Sequence, residues 1–165
     1  MTLDSVLERV LTGFERYYDI DLDTPTEPFH AEARFDLVDM NYLLVKSAKV
    51  YEQISREYAY FYKTDELTEE VLEEIEEIAW QTGMANVEPV ANHRNTDVTL
   101  VIIAGKVDPE LYTRIKKAKR QKSYMYGFRG YSFYRLIVCD LSNESVINNR
   151  RGADLGTTVN NILTK

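Results

Sequence analysis

Two basic clusters are the residues of this sequence best suited to bind a ligand. His93 and Arg94 precede the most apolar segment of the chain, and Arg150 and Arg151 follow its last apolar segment; asparagines flank both pairs. Paired arginines with free amides form an anion clamp, because a guanidinium group donates two parallel hydrogen bonds to phosphate or carboxylate oxygens. The alternative is a surface turn held by salt bridges. We expect any binding site where the two clusters converge, at the ends of neighbouring strands.

Basic residues are concentrated in one part of the chain. From residue 106 to residue 151 there are 11 basic and 4 acidic residues, although the whole chain has a net charge of -7. Such a split indicates either an anionic partner or acidic and basic parts of one fold that pack together. We favour packing of the acidic parts against the basic parts, because the acidic and basic charges of these segments nearly compensate. The candidate binding residues are His93, Arg94, Arg114, Lys117, Arg120, Arg129, Arg150 and Arg151.

The sequence lacks the common catalytic motifs, namely a glycine-rich phosphate loop, a nucleophile elbow and a His-Glu-x-x-His zinc site. Its two histidines and one cysteine do not have metal-ligand spacing. Aspartates alternate in residues 19–23 as in a calcium loop, but Thr24 and His30 stand where that loop requires glycine and glutamate. Cys139 lies in an apolar run, which is typical of a small buried side chain. We predict no cofactor, no metal and no catalytic residue.

Residues 129–136, Arg-Gly-Tyr-Ser-Phe-Tyr-Arg-Leu, combine alternating aromatic side chains with basic ones. The segment resembles the aromatic strand motif of RNA-recognition domains at its first three positions and its fifth. Alternate rings on a strand can stack nucleic-acid bases. The surrounding order of elements does not fit that fold, however, and the partner motif is missing. We therefore predict that Tyr131 and Phe133 are core residues.

Hydrophobic periodicity divides the chain into helices and strands. Residues 2–17 have an apolar stripe at helical spacing, whereas Tyr58, Tyr60 and Tyr62 share one face of a strand. Residues 18–28 form an acidic loop, and residues 153–165 form a short helix or a frayed tail. Turns are predicted at 39–41 and 53–56. The predicted helices are 2–17, 65–82 (capped by Thr64 or Asp65 and ended by Gly83) and 109–122, and the predicted strands are 29–38, 46–52, 57–63, 97–104, 131–141 and 145–148.

This order predicts one α+β domain of residues 1–165, with a single mixed β-sheet of about five to six strands and packed helices. The first three strands form an N-terminal antiparallel meander because their connections are short. The strand at 97–104 is reached across a helix, so it can run parallel to a neighbour by a right-handed crossover.

The succession of helix, three strands, helix and strand is loosely similar in topology to the restriction-endonuclease-like core. That resemblance implies an acidic residue followed two positions later by a lysine on the third core strand, where they hold a metal ion and the attacking water. Here the segment reads Glu57-Tyr58-Ala59, and Lys63 lies six residues after Glu57. The lysine is missing from its position, so the resemblance implies an inactive relative rather than an active nuclease.

Five short segments across the chain also resemble an uncharacterised bacterial domain of unknown function. They are Ala33-Arg34-Phe35, Lys46-Ser47-Ala48-Lys49-Val50-Tyr51, Glu57-Tyr58-Ala59-Tyr60-Phe61, Asn92-His93-Arg94-Asn95 and Asn149-Arg150-Arg151-Gly152. This resemblance implies no activity.

Three functions remain open. The first is a non-enzymatic protein that acts by protein contacts, self-association into a homodimer included; exposed apolar area on the first helix or the tyrosine stripe would support it. The second is a nucleic-acid or anion binder that uses the basic segment and the C-terminal arginines. The third is a degenerate nuclease-like enzyme. We expect a cytoplasmic protein that does not bind membranes, because neither a signal peptide nor a membrane-spanning segment is recognisable.

Overall fold

A computed structural model describes residues 1–42 and 50–165, with side chains described for 1–37 and 54–165. The helices are α1 (Leu3–Phe14), α2 (Glu69–Met84), α3 (Leu111–Lys117) and α4 (Ala153–Thr164). The strands are β1 (Asp19–Asp21), β2 (Ala31–Tyr42), β3 (Val50–Leu67), β4 (His93–Val107), β5 (Gln121–Ser123), β6 (Tyr131–Asp140) and β7 (Ser145–Asn148).

The strands of the described residues form one mixed sheet in the order β1-β2-β3-β4-β6-β5, and β7 also pairs with β6. The first three strands are antiparallel neighbours. Strands β3, β4 and β6 run parallel, because α2 and α3 return the chain to the same end of the sheet. The predicted α+β class with a single mixed sheet is confirmed. The N-terminal meander is present, but its strands differ from the prediction: residues 19–21, predicted within the acidic loop 18–28, form β1, and residues 50–52 and 57–63, predicted in two strands, lie in the single strand β3.

Helices cover both faces of the sheet. On one face, α1 and α4 pack on side chains of the central strands such as Phe61, Val101 and Ile137. On the other face, α2 and α3 pack on Tyr60, Leu100 and their neighbours. The central strands are therefore apolar on both sides, as parallel strands between two helical layers must be. Cys139 is buried under α1 and α4, and burial raises the pKa of its thiol to about 12.

Both terminal helices belong to the core. Helix α1 begins at a capping box in which the backbone N–H of Ser5 donates to the Thr2 side chain, and it buries the apolar stripe that the sequence predicted. Residues 153–164, predicted as a short helix or a frayed tail, form helix α4. This helix buries Leu155 and Val159 against the sheet and contacts α1.

The predicted turns near the first hairpin are wrong. Residues 39–41 lie within β2 and residues 53–56 lie within β3, and the antiparallel pairing of the two strands extends to Tyr42 opposite Val50. Arg56 stands opposite Asp36 and binds its carboxylate across the strands at 2.9 Å, so these charges mark a cross-strand pair and not a turn. Most of the predicted strand 46–52 lies outside the described residues.

The boundaries of helices α2 and α3 also differ from the prediction. Helix α2 begins at Glu69 with Thr68 as its N-cap, because β3 continues to the fully buried Leu67. Gly83 does not end this helix. It lies in the last turn, where an added Cβ would lie 2.5 Å from a methyl carbon of Val98, so close packing on β4 requires glycine. Helix α3 ends at Lys117, and residues 121–123 pair with β6 instead.

Asn149 holds the outer edge of β6 where neither β5 nor β7 pairs with it. Its side-chain oxygen accepts hydrogen bonds from the backbone N–H groups of Leu136 and Gly152, both at 2.9 Å. Its amide nitrogen donates to the carbonyls of Tyr134 and Ala118 at 2.9 and 3.0 Å. A buried amide thus completes the sheet edge, because unpaired backbone groups in the interior are costly.

We expect Asn149→Ala to lower the free energy of unfolding by about 3 kcal/mol, because it removes four hydrogen bonds to backbone groups, three of them buried. Urea denaturation followed by circular dichroism measures this loss. The exposed helical residue Asn161 provides the control, since Asn161→Ala should change stability by less than about 0.5 kcal/mol. Equal effects of the two substitutions would contradict the assigned role of Asn149.

Candidate functional site

A pocket of about 920 Å³ lies at the edge of the sheet where β4 and β6 begin. Because these strands are parallel and in register, their first residues meet at one edge. Asparagines and glycines of the neighbouring loops contribute to the wall. We call it the arginine pocket and define it by Arg94, Asp97, Tyr131, Phe133, Arg135 and Arg151.

A buried ion pair lies beside the pocket. Glu57 on β3 is almost fully buried, and Arg135 on β6 donates a hydrogen bond to its Oε1 atom. The Tyr18 hydroxyl donates to the Oε2 atom at 2.7 Å, so both carboxylate oxygens have a partner. Burial raises the pKa of Glu57, and the positive charge of Arg135 offsets part of this effect.

Asp97 is the second carboxylate near Arg135, and it faces the pocket. It stands next to Glu57 in the register of β3 and β4, and its Oδ2 atom lies 3.9 Å from the Arg135 guanidinium. Burial raises the pKa of Asp97 also, while Arg135 lowers it in part. One arginine therefore supplies the positive charge between two carboxylates, a position that a metal ion fills in many hydrolytic sites.

Aromatic rings form one wall of the pocket. Tyr131 and Phe133 stack with their centroids 5.8 Å apart and their planes at 16°. The guanidinium of Arg151 lies over the Phe133 ring, 3.7 Å from its centroid. The prediction that Tyr131 and Phe133 are core residues is wrong: Tyr131 is 39% exposed and both rings line the pocket. They stand at the start of β6, ahead of Ile137 and Cys139, which α1 and α4 cover.

The loop from Tyr124 to Gly130, which we call the aromatic loop, projects beside this wall. Met125 and Tyr126 both have positive φ, at 50° and 55°, which side-chain-bearing residues rarely adopt. Tyr126 is 98% exposed and Phe128 is 86% exposed. Gly130 closes the loop at φ 86°, where an added Cβ would lie 2.3 Å from the carbonyl oxygen of Arg94. The loop thus exposes the aromatic rings of Tyr126 and Phe128 to solvent.

His93 fixes the aromatic loop to β4. Its Nδ1 atom is 2.6 Å from the carbonyl oxygen of Arg129, so Nδ1–H donates. Its Nε2 atom then accepts from the Thr96 hydroxyl at 2.7 Å. His93 lines the pocket as a buried side chain, and both of its nitrogens are bound within the protein.

The structure brings together three of the eight candidate residues, His93, Arg94 and Arg151, in the pocket wall. Arg129 is exposed on the aromatic loop and donates to the carbonyl of Pro89 at 3.3 Å. Arg150 is exposed outside the pocket wall. The asparagine amides that we expected to be free are not, because Asn148 and Asn149 both donate to backbone carbonyls.

The other three candidates lie in the basic segment on the opposite face of the sheet. Arg114 binds the buried Glu76 at 2.7 Å, and Arg120 binds Glu77 at 2.6 Å. Basic side chains therefore pack against the acidic helix α2, which is the interpretation that we favoured for the charge split. Lys117 is exposed on α3.

Sequence reasoning missed Asp97 and Arg135 as site residues. Each is a charged residue two positions before a buried side chain on the same strand face, Thr99 and Ile137 respectively. A charge at such a position needs a partner from a neighbouring strand. That pattern was visible in the sequence, but the partner of Arg135, Glu57, is 78 positions away.

The fold and site define an α+β domain with one mixed sheet and an open, arginine-lined pocket at the start of its parallel strands. The chain belongs to the family described as a domain of unknown function (DUF8052), whose family model matches residues 2–161. The predicted membership of a domain of unknown function is thus confirmed. No curated protein and no solved structure matches the chain, so the restriction-endonuclease-like similarity stays unconfirmed. Within residues 1–42 and 50–165, none of the helices has both the length and the apolarity to cross a membrane.

Asp97→Asn should become increasingly stable relative to wild type as the pH rises from about 4 to 7. The folded protein holds the pKa of Asp97 above its unfolded value, so the wild type gains stability from protonation at low pH. It loses that contribution as the pH rises through the raised pKa. Asparagine remains neutral throughout. Urea denaturation at several pH values tests this, with the exposed Asp23→Asn as control. A stability difference that shrinks with rising pH would mean that attraction to Arg135 outweighs burial.

Proposed function

We propose that this domain is a non-enzymatic binding module, and that the arginine pocket and the aromatic loop together form its ligand surface. The ligand is an anionic partner that also offers apolar area. The observation that carries this proposal is the pair of almost fully exposed rings, Tyr126 and Phe128, beside a pocket lined by arginines.

The conformation of the aromatic loop supports a binding role. A non-glycine residue in the left-handed region costs on the order of 1–2 kcal/mol, and Met125 and Tyr126 both adopt it. Packing within the protein offsets little of this cost, because the side chains of Met125 and Tyr126 are both exposed. Strained backbone concentrates at binding sites, where it positions side chains for a ligand. Aromatic, methionine and arginine side chains are also the types enriched in binding interfaces.

The charges of the pocket support an anionic ligand. Arg94 and Arg151 are exposed at its wall, and Arg129 is exposed on the adjacent loop. The carboxylates of Glu57 and Asp97 are balanced in part by Arg135, which lies between them. The exposed positive charge is therefore available to a partner and gives it electrostatic complementarity.

The same contacts favour binding over catalysis. Two groups that could serve as a general base, Glu57 and His93, each have both of their polar atoms bound within the protein. A third, Asp97, lies beside the guanidinium of Arg135. Ala59 occupies the position where a nuclease of the resembled type needs lysine, and it is fully buried. Lys63 is bound to Asp4 instead.

The two surfaces that the sequence suggested for protein contacts, the apolar stripe of α1 and the tyrosine stripe, pack within the protein. The apolar stripe of α1 is buried by the sheet and α4, and Tyr58, Tyr60 and Tyr62 pack on the α2 and α3 side of the sheet. The exposed apolar surface on which this proposal relies is instead the aromatic loop.

The test is a fluorescence anisotropy titration with two labelled polyanions, an oligothymidylate of about 12 nucleotides and a glutamate-rich peptide of similar length. We expect the double variant Arg94→Gln/Arg151→Gln to bind the preferred polyanion about tenfold more weakly or worse, with a shallower salt dependence. The two arginines act by charge, so a neutral side chain of similar length removes the attraction and keeps the packing of Arg151 on Phe133.

Lys117→Gln is the matched control, because it removes an exposed positive charge from the opposite face of the sheet. It should change the affinity by less than about twofold. Equal losses from the pocket and control variants would show non-specific attraction to charge. Absence of binding to both polyanions at low salt would reject the proposed ligand class. Unfolding curves of all variants must match the wild type for these comparisons to hold.

A further inference from the structure

We infer that the ligand of this surface is a single-stranded nucleic acid, whose bases stack on the rings of the aromatic loop while Arg94, Arg129 and Arg151 bind its phosphates. This inference rests on the proposed function and adds the class of ligand.

The rings form a path from the pocket to the tip of the loop. Arg151 covers Phe133, and Phe133 stacks on Tyr131. The loop packs directly on this row, because an added Cβ at Gly127 would lie 2.3 Å from the Tyr131 hydroxyl oxygen. Gly127 lies between the exposed Tyr126 and Phe128. Flat surfaces therefore continue from the pocket wall outward along one side of the protein.

Positive charge accompanies this path. Arg151 and Arg94 lie at the pocket, Arg129 lies on the loop, and the Lys122 ammonium is 5.5 Å from the centre of the Tyr124 ring. Among the described residues, Asp97 is the acidic one that lines the pocket, and it lies near Arg135. Alternating rings and cations along an open surface match the alternation of bases and phosphates in a nucleic-acid strand.

The exposure of the rings favours bases over an apolar peptide. Tyr126 and Phe128 are almost fully exposed, so each offers ring faces to the solvent, and Phe128 also lines the arginine pocket. A helical peptide needs a continuous apolar groove, whereas this pocket carries Arg94, Asp97 and Arg151 in its wall. A base needs only a ring face, and base stacking tolerates any sequence because every base has a π-face.

The strand must be single because paired bases are stacked on each other inside a duplex. An aromatic side chain reaches a base face only where the strand is unpaired. Stacking on a ring and binding of a phosphate by a guanidinium group do not read base edges, in contrast to bidentate contacts between side chains and bases. We therefore expect weak dependence on sequence and strong preference for single strands.

The experiment uses Phe128→Trp and compares its tryptophan fluorescence with that of the wild type, whose single tryptophan, Trp80, packs partly buried against the core. Unlabelled oligothymidylate of about 12 nucleotides should quench the new tryptophan, because stacking on a base brings the two rings into contact. The same oligonucleotide hybridised to its complement and a glutamate-rich peptide should not quench it.

Affinity for the single strand gives the second measurement. Tyr126→Ala/Phe128→Ala should weaken binding of labelled oligothymidylate by about tenfold or more, since each stacked base contributes on that scale. Tyr17→Ala is the matched control, because Tyr17 is exposed elsewhere on the surface, with a cation beside its ring, and its loss should leave the affinity unchanged.

The outcomes separate this inference from the proposed function. If the glutamate-rich peptide binds through Arg94 and Arg151 and the oligonucleotide does not, the module binds a protein segment and the inference fails alone. The inference also fails if the arginine variants weaken oligonucleotide binding but the ring variants do not, or if duplex binds as tightly as single strand. If neither polyanion binds, both proposals fail.

Discussion

The ion pair between Arg135 and Glu57 closes the core of this protein at the end where its parallel strands begin. A buried carboxylate costs several kcal/mol unless its oxygens are bound, and here Arg135 and Tyr18 bind both of them. The pair joins β3 to β6 across the intervening β4. Farther along the same strands the side chains are apolar, and before it they line an open pocket. The buried ion pair therefore marks the boundary between the apolar core and the pocket.

The segments that surround the pocket are held by contacts with β4 and β6. Asn149 completes its outer edge and positions the turn that carries Arg151, while His93 and Gly130 tie the aromatic loop to the start of β4. These anchors are buried hydrogen bonds and close backbone contacts, which hold geometry firmly. These contacts hold the aromatic loop in its strained backbone conformation, and the rings of Tyr126 and Phe128 therefore stay exposed to solvent.

The charge distribution explains how an acidic protein can present a basic surface. Two glutamates of α2, Glu76 and Glu77, bind Arg114 and Arg120 of the basic segment, so part of the charge split is compensated on one face of the sheet. The arginines at the pocket lie on the other side and retain their exposure. Net charge describes the whole molecule, whereas a ligand responds to the potential within about one Debye length of its own site.

The sequence by itself determined the α+β class, the single mixed sheet, a first helix (predicted at residues 2–17 and observed at 3–14), the strand at 145–148 and the family of unknown function. Local periodicity suffices for the helix and strand assignments, because an amphipathic segment must bury its apolar face. The family was inferred from the resemblance of five short segments, and the family model confirms it. Only the tertiary structure decided that Tyr131 and Phe133 line a pocket, that β2 and β3 remain paired as far as Tyr42 and Val50, and that Glu57 binds Arg135. These features depend on strand register and on which residues the helices cover, and both are set by contacts between segments far apart in the chain.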